Sequence, residues 1–189
     1  FLKTALFLDR DGVINRDFGY VYQTDKLELV DGIIELIDYF AKIVDCIIVV
    51  SNQSGIGRGF YNFEDWQNFN REIQIRLELK SVKIDAFYCC PHLPKELSGE
   101  GCFCRKPEPG MLFDAKNDFS LNLKKSILIG DKLSDVKAAC RADLLRAYLL
   151  SEEDAVSSDN FLNFNVNVVK SLKDIIYIEH TKCGESLFE

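Results

Sequence analysis

Phe7-Leu8-Asp9-Arg10-Asp11-Gly12-Val13-Ile14-Asn15 is the stretch whose reading decides the fold. The residues that lead into it, Thr4-Ala5-Leu6-Phe7-Leu8, are apolar without polar alternation, the pattern of a strand buried on both faces. Such a strand delivers two carboxylates, Asp9 and Asp11, to its carboxyl end, and in an open α/β sheet that is the end where ligands bind. Taken alone, a strand closing on an Asp-Gly turn accounts for the same residues. The arrangement recurs, however. Cys46 to Val50 is a second apolar strand, ending in Ser51-Asn52-Gln53-Ser54-Gly55-Ile56-Gly57-Arg58-Gly59. Ser126 to Gly130 is a third, ending in Asp131-Lys132-Leu133-Ser134-Asp135.

Helical patterns separate the strands. Asp31-Gly32 opens a predicted helix to about Val44, with Ile33, Ile37, Phe40 and Val44 on one stripe. Asn62 is placed to cap a helix whose Trp66, Phe69, Ile73 and Leu77 share a face. Pro109 sits where a first-turn proline would, ahead of a helix from Gly110 to about Phe119, and a further helix runs from Asp135 to about Arg141. Ala86 to Cys89, Leu144 to Leu150 and Asn165 to Val169 read as strands, the last followed by a short helix over 171–176. Residues 16–30 form a polar and aromatic loop, 151–164 a polar connection and 180–189 a loose tail. Strands alternating with helices predict an α/β fold with a doubly wound parallel sheet, and 189 residues suit one domain spanning the chain. The polar clusters at 9–11, 51–52 and 131–135 then gather along one sheet edge.

Composition narrows the partners. The chain is 47% hydrophobic and 28% charged with net charge −7, so nothing in it favours nucleic acid or an anionic membrane surface. No run approaches the roughly 20 apolar residues of a membrane span. The N-terminal apolar stretch is cut by Asp9-Arg10-Asp11 too early for a signal peptide, and we expect a cytoplasmic protein. Seven cysteines, an odd number, argue against a complete disulfide framework, and four of them (Cys89, Cys90, Cys102, Cys104) fall within sixteen residues. Cys46 and Cys140 sit in apolar settings and read as packing residues.

Two constellations carry chemistry. Three carboxylates at one sheet edge repel one another unless a cation holds them, and oxygen ligands with open positions suit Mg²⁺ that shares a phosphate substrate. Ser51 and the N–H groups of the turn after it can hold phosphate oxygens, and Lys106 with Arg105 beside it can neutralise a transferring phosphoryl group. The second constellation is Cys90-Pro91-His92, then Cys102-Phe103-Cys104. Three thiolates and an imidazole make a closed tetrahedral Zn²⁺ site, hence a structural one. Such a metal folds a proline-containing loop, about 90–107, that has no apolar core of its own, and Cys104 directly precedes Arg105-Lys106.

Asp9-Arg10-Asp11-Gly12, Ser51-Asn52, Lys106 and Gly130-Asp131-Lys132 through Asp135 resemble, in order, the four motifs of haloacid dehalogenase (HAD)-type phosphatases, over about residues 4–150. The resemblance implies the Rossmann-like fold of that family with a zinc-loop insertion and no large cap domain. It implies that Asp9 is the nucleophile, forming an aspartyl-phosphate, and Asp11 the general acid and then base. The Asp9 carboxylate, the Asp11 backbone carbonyl and Asp131 would bind Mg²⁺ with Asp135 in support, while Ser51 and Lys106 hold the phosphoryl group.

The zinc loop narrows the resemblance to the branch that holds histidinol-phosphate phosphatases and heptose 1,7-bisphosphate 7-phosphatases. Asn15 to Val21, Ser51 to Ile56, Cys104-Arg105-Lys106-Pro107 and Gly130-Asp131-Lys132 are similar to the heptose enzymes. That likeness implies that Asp17, Phe18, Gly19, Tyr20, Ser51, Asn52, Gln53, Ser54, Arg105, Lys106 and Lys132 contact substrate, with Arg105 placed for a second phosphate. It implies an enzyme acting on a small sugar bisphosphate, supplying nucleotide-activated heptose for lipopolysaccharide core; we expect a monomer. Histidinol phosphate is the rival substrate, and a catalytically silent zinc-stabilised binding module the rival class. Two departures stand out. Ser51 is often Thr in the family, and Ala142-Asp143-Leu144 lacks the glycine usual after that helix.

Overall fold

The computed structural model describes residues 1–152 and 164–185, with side chains up to Lys182 in the last helix. Most of the predicted connection over 151–164 and the end of the predicted tail lie outside these residues, as does the side chain of Cys183. The strands are β1 (Ala5–Leu8), β2 (Cys46–Asn52), β3 (Ala86–Cys90), β4 (Ile127–Gly130), β5 (Arg146–Leu150) and β6 (Val166–Val169). The helices are α1 (Ile33–Phe40), α2 (Ser54–Gly57), α3 (Phe63–Glu78), α4 (Lys95–Ser98), α5 (Gly110–Phe119), α6 (Leu133–Arg141) and α7 (Leu172–Glu185).

All strand pairings are parallel, and the sheet order is β3-β2-β1-β4-β5-β6. The chain winds outward from β1 through β2 to β3, returns to β4 and winds outward the other way. The reversal falls between β1 and β4, so the crevice outside their carboxyl ends is where this topology receives a ligand. Apolar strands without alternation become strands buried on both faces. Leu6 and Leu8 of β1 pack with α1, α3 and α7 through Ile37, Phe69 and Ile175 on one side. Ala5 and Phe7 pack with α5 and α6 through Met111, Ala115 and Val136 on the other. Burial of each large side chain of this kind stabilises by about 1.5–3 kcal/mol, which anchors the backbone that carries Asp9.

The α3 start is as predicted, with Asn62 and Asp65 each bonding the other's backbone N–H at 2.9 Å. Four boundaries differ from the sequence reading. β2 continues through Ser51 and Asn52, so both belong to the strand rather than to the turn after it. α1 stops at Phe40, and the chain closes in a turn in which the Val44 N–H donates to the Phe40 carbonyl at 2.9 Å. α4 lies inside the segment read as a proline-containing loop, because four residues are too few to show a helical period. α7 runs to Glu185, well past residue 176. Its extra turns are held by long-range contacts: buried Glu179 accepts from the Tyr148 hydroxyl and lies 3.3 Å from Arg146 of β5, and His180 lies against Tyr39 of α1. After α6, Asp143 takes the left-handed position (φ 57°) that glycine usually fills, and the Leu144 N–H closes on the Ala139 carbonyl at 3.1 Å. Aspartate tolerates that conformation better than most side chains, so the missing glycine leaves the cap intact.

Candidate active site

Asp9 follows β1 and Asp131 follows β4, so the sheet reversal sets them side by side, and Asp135 enters from the first turn of α6. One carboxylate oxygen of each lies within 4.8 Å of the other two. Glycine permits this approach. Gly12, at φ +89°, would place a Cβ 2.2 Å from Asp131 Oδ2, and Gly130 would place one 2.2 Å from Asp135 Cβ. The Lys132 N–H donates to Asp135 Oδ2 at 3.0 Å, which fixes Asp135 as part of the helix start.

Lys106 is buried among these acids. Its Nζ lies 3.0 Å from Asp9 Oδ1 and 2.6 Å from Asp135 Oδ1, and donates to the Val50 carbonyl at 2.6 Å. Burial works against its charge, but Asp135 and Asp9 outweigh it and keep the ammonium protonated above its ordinary range. Burial raises Asp9, assisted by Asp135 and opposed by Lys106. Asp131 is pushed up to about 7, first by burial and then by the charge of Asp9, and its Oδ1 is buried without a hydrogen-bond partner among the described residues. One cation among three close carboxylates leaves surplus negative charge and an orphaned hard oxygen donor, which together fit a divalent ion such as Mg²⁺.

The predicted phosphate-binding residues divide in two. Asn52 is spent on Lys106: its Nδ2 donates to the Lys106 carbonyl at 2.9 Å and its Oδ1 accepts the Lys106 N–H at 3.0 Å. Gln53 is 2% exposed, and its Nε2 donates to Ser51 Oγ at 2.6 Å and to Asp11 Oδ2 at 2.9 Å. Both side chains border the site, but their polar atoms serve protein partners. Asp11 also accepts from Asn15 Nδ2 at 2.9 Å and from the Arg10 guanidinium through Nε and Nη2 at 3.0–3.1 Å. Its carboxylate thus lies outside the three-acid cluster.

Above this floor is a cavity of about 370 Å³ walled by Asp17, Gly19, Tyr20, Ser54, Arg105, Lys106 and Lys132, together with Tyr61 and Ser134. Lys132 Nζ reaches Asp17 Oδ2 at 3.3 Å across the mouth. Asp17 Oδ1 accepts the Gly19 N–H at 2.9 Å, turning the loop through left-handed Gly19 and Tyr20. Phe18, predicted to contact substrate, is 57% exposed and not part of the wall. A larger hollow, about 530 Å³, opens between Gly57 and the 91–102 segment. It lacks lysine and arginine, whereas the smaller cavity gathers three cations, which is what a phosphorylated ligand requires. Arg10, Asn15 and Ser134 stand inside the quoted stretches without a legible role there, and Tyr61 lies outside them, because the fold rather than local spacing brings each to the site. Tyr61 had one local signal, an aromatic beside the predicted helix cap.

The second constellation also assembles. Cys90 Sγ, His92 Nδ1, Cys102 Sγ and Cys104 Sγ are separated by 3.2–3.6 Å along the five edges that join them in close contact. Zn–S bonds of about 2.3 Å give tetrahedron edges of roughly 3.8 Å, so the set closes on zinc with slight expansion, and the S···S distances are too long for disulfides. Cys89, next on the strand, lies outside this group, as strand alternation demands. Backbone bonds tie the loop to the turn after β2: Gln53 N–H to the Cys90 carbonyl at 2.8 Å and Gly57 N–H to the Pro91 carbonyl at 3.1 Å. Arg105 Nη1 donates to the His92 carbonyl at 3.3 Å.

A doubly wound sheet with an Asp–Lys–Asp cluster at its reversal point is the arrangement of HAD-like hydrolases, and a family model described as HAD-hydrolase-like matches residues 103–175. A D-glycero-alpha-D-manno-heptose-1,7-bisphosphate 7-phosphatase from Campylobacter jejuni is 44% identical over 176 residues, 93% of this chain and 95% of that protein. The beta-anomer enzyme of Photorhabdus laumondii is 37% identical over 90% of this chain and 92% of its own length. Among solved structures, the D,D-heptose 1,7-bisphosphate phosphatase of B. bronchiseptica complexed with magnesium and phosphate superposes with TM-score 0.78 at 25% identity, covering 95% of this chain and 99% of that one. The chain belongs to the heptose 1,7-bisphosphate 7-phosphatase family of HAD-like phosphatases.

Proposed function

We propose that this protein hydrolyses the 7-phosphate of D-glycero-D-manno-heptose 1,7-bisphosphate and leaves the 1-phosphate in place. The observation that carries the reading is the state of Asp9. Its Oδ1 accepts the Arg10 N–H at 2.7 Å and pairs with Lys106, so Oδ2 is left without a protein partner among the described residues. That oxygen attacks phosphorus and the sugar oxygen leaves, taking a proton from Asp11. Water then attacks the aspartyl-phosphate as Asp11 takes its proton back, releasing phosphate and restoring Asp9. Lys106 offsets the charge of the transferring group.

Asp9, Asp131 and the Asp11 backbone carbonyl would hold Mg²⁺ with Asp135 in support, and the ion when bound supplies charge neutralisation among the acids and the phosphoryl oxygens. Zn²⁺ on Cys90, His92, Cys102 and Cys104 keeps the loop folded. Arg105 and Lys132 line the cavity, Lys132 Nζ lying 3.8 Å from Asp131 Oδ2, and they supply it with cations beyond Lys106 for a second phosphate. Histidinol phosphate lacks a second phosphate and would leave this pair unused. We place the enzyme in the cytoplasm as a monomer supplying precursors of nucleotide-activated heptose. The cysteines described are all free thiols, and no helix among the described residues is long and apolar enough to cross a membrane.

The test is phosphate release from both heptose bisphosphate anomers and from histidinol phosphate. The Campylobacter jejuni relative, at 44% identity, carries the alpha name, which makes that anomer the first to assay. We expect kcat/KM for a heptose bisphosphate to exceed that for histidinol phosphate by about 10²-fold or more, the discrimination that unpaired site cations impose. Equal or better turnover of histidinol phosphate overturns the reading.

A further inference from the structure

Arg10 is the largest fully buried side chain described, 1% exposed, and it occupies the position between the two reacting aspartates. Burying a guanidinium is costly unless every donor is used, and a well-packed apolar residue serves a core at least as well. Its donors run to one place. Nε and Nη2 fork onto Asp11 at 3.0–3.1 Å, and Nη2 also donates to the Val21 carbonyl at 2.9 Å and to Gln53 Oε1 at 3.2 Å. The Tyr61 hydroxyl donates to the same Gln53 oxygen at 2.5 Å, and the Gln53 amide returns to Asp11. Behind the guanidinium stands α3. The Phe69 ring lies 4.7 Å from it, and Asn70 Oδ1 meets Nη1 at 3.5 Å while the Asn70 Nδ2 is buried without a hydrogen-bond partner among the described residues. An amide kept half-satisfied in the interior contributes little to the fold. No residue of α3 walls the cavity, and neither does Arg10.

We propose that Arg10 is a positioning residue for proton transfer, whose planar fork, backed by Phe69 and Asn70 of α3, sets the orientation of the Asp11 carboxylate toward the leaving oxygen. A single ammonium cannot fix the plane of a carboxylate as a guanidinium does. The inference rests on the assignment of Asp11 as the proton donor under Proposed function.

The experiment separates the proton-dependent step from the rest. A sugar phosphate expels an alkoxide and needs the proton, whereas p-nitrophenyl phosphate expels a stable phenolate without it. For Arg10→Lys we expect kcat on heptose bisphosphate to fall about 10–100-fold with KM within about twofold, a fraction of the full acid–base contribution. The first-turnover burst of p-nitrophenolate should keep its rate within about threefold, since that step bypasses the general acid. In an Asp11→Asn background Arg10→Lys should cost less than about twofold, because its route of action is already gone. Asn70→Leu removes the half-satisfied amide without opening a void. It should fold and melt as the native protein does, yet lose about three- to tenfold on the sugar ester alone. Parallel losses on both substrates, an undiminished Arg10→Lys effect without Asp11, or full activity of Asn70→Leu would overturn the proposal. Failure of the substrate reading shows separately, as a native enzyme that ignores heptose bisphosphate, and failure of the Asp11 assignment as an active Asp11→Asn single variant.

Discussion

The carboxylate floor and the zinc loop are both clusters of polar side chains drawn into contact, and they are held together in opposite ways. Asp9 and Asp131 stand at the ends of strands whose other residues are buried in the core, and Gly12 and Gly130 leave room for the acids to close up. The sheet forces these like charges together whether or not a cation is present. In the loop, no residue from Pro91 to Cys104 is buried. That backbone has a few hydrogen bonds and the stack of Phe103 on Phe113 but no core of its own, so a metal on its four donor atoms would do there what packing does under the acids. The regions meet at Lys106, whose ammonium lies among the acids and whose backbone is clamped by Asn52 two residues past Cys104. One region carries the chemistry, and the other decides where its cations stand.

If that division is right, damage to the floor should abolish the reaction and leave structure alone. Asp9→Asn should lower turnover by on the order of 10⁴-fold or more, since the amide is nearly isosteric but cannot attack phosphorus. Phosphate release together with a melting curve checks both halves, and near-native turnover would refute the covalent route. Asp11→Asn should cost about 10²–10⁴-fold, the usual range for acid–base catalysis, while Mg²⁺ still binds because its side chain lies outside the acid cluster. A variant that loses Mg²⁺ affinity yet keeps its rate at saturating metal would exchange the roles of the two aspartates.

Damage to the loop should act at a distance. Stripping zinc, or Cys102→Ser, should lower activity on the order of 10²-fold by displacing Arg105 and Lys106 about 1 Å, with the magnesium requirement unchanged. Cys89→Ser should be nearly neutral. Metal analysis and rates for the two variants decide it, and zinc-free protein with full activity would erase the contrast between the regions. The smallest effect lies outside both. Asp143→Gly relieves a left-handed residue after α6, at the loss of an exposed 3.1 Å ion pair with Lys124, and should stabilise by about 0.5–1 kcal/mol without altering the rate. A change in kcat would mean that the α6 end communicates with the site.

The sequence by itself determined the strands, the class of fold and most of the residues that gather at the candidate site, for one physical reason. A strand buried on both faces must be continuously apolar, so the polar residues at its end stand out against it, as Asp9, Ser51 and Asp131 do. The Cys90, His92, Cys102 and Cys104 cluster was legible because thiols and an imidazole crowded into one loop are a chemical signal that needs no coordinates, and the fold does bring the four together. Tertiary structure alone decided the rest. Asn52 and Gln53 read as substrate contacts, and only the fold showed their polar atoms committed to Lys106 and Asp11. The full length of α7 depends on Glu179 meeting Tyr148 and Arg146 across 31 and 33 residues, a contact no local period encodes. Arg10 stands inside the motif that the sequence displays, but its role was not readable there, since its surroundings come from Phe69, Asn70, Gln53 and Val21, brought around it by separate elements. Periodicity and composition are properties of neighbours along the chain, and the environment of a buried charge is made by residues far from it in sequence.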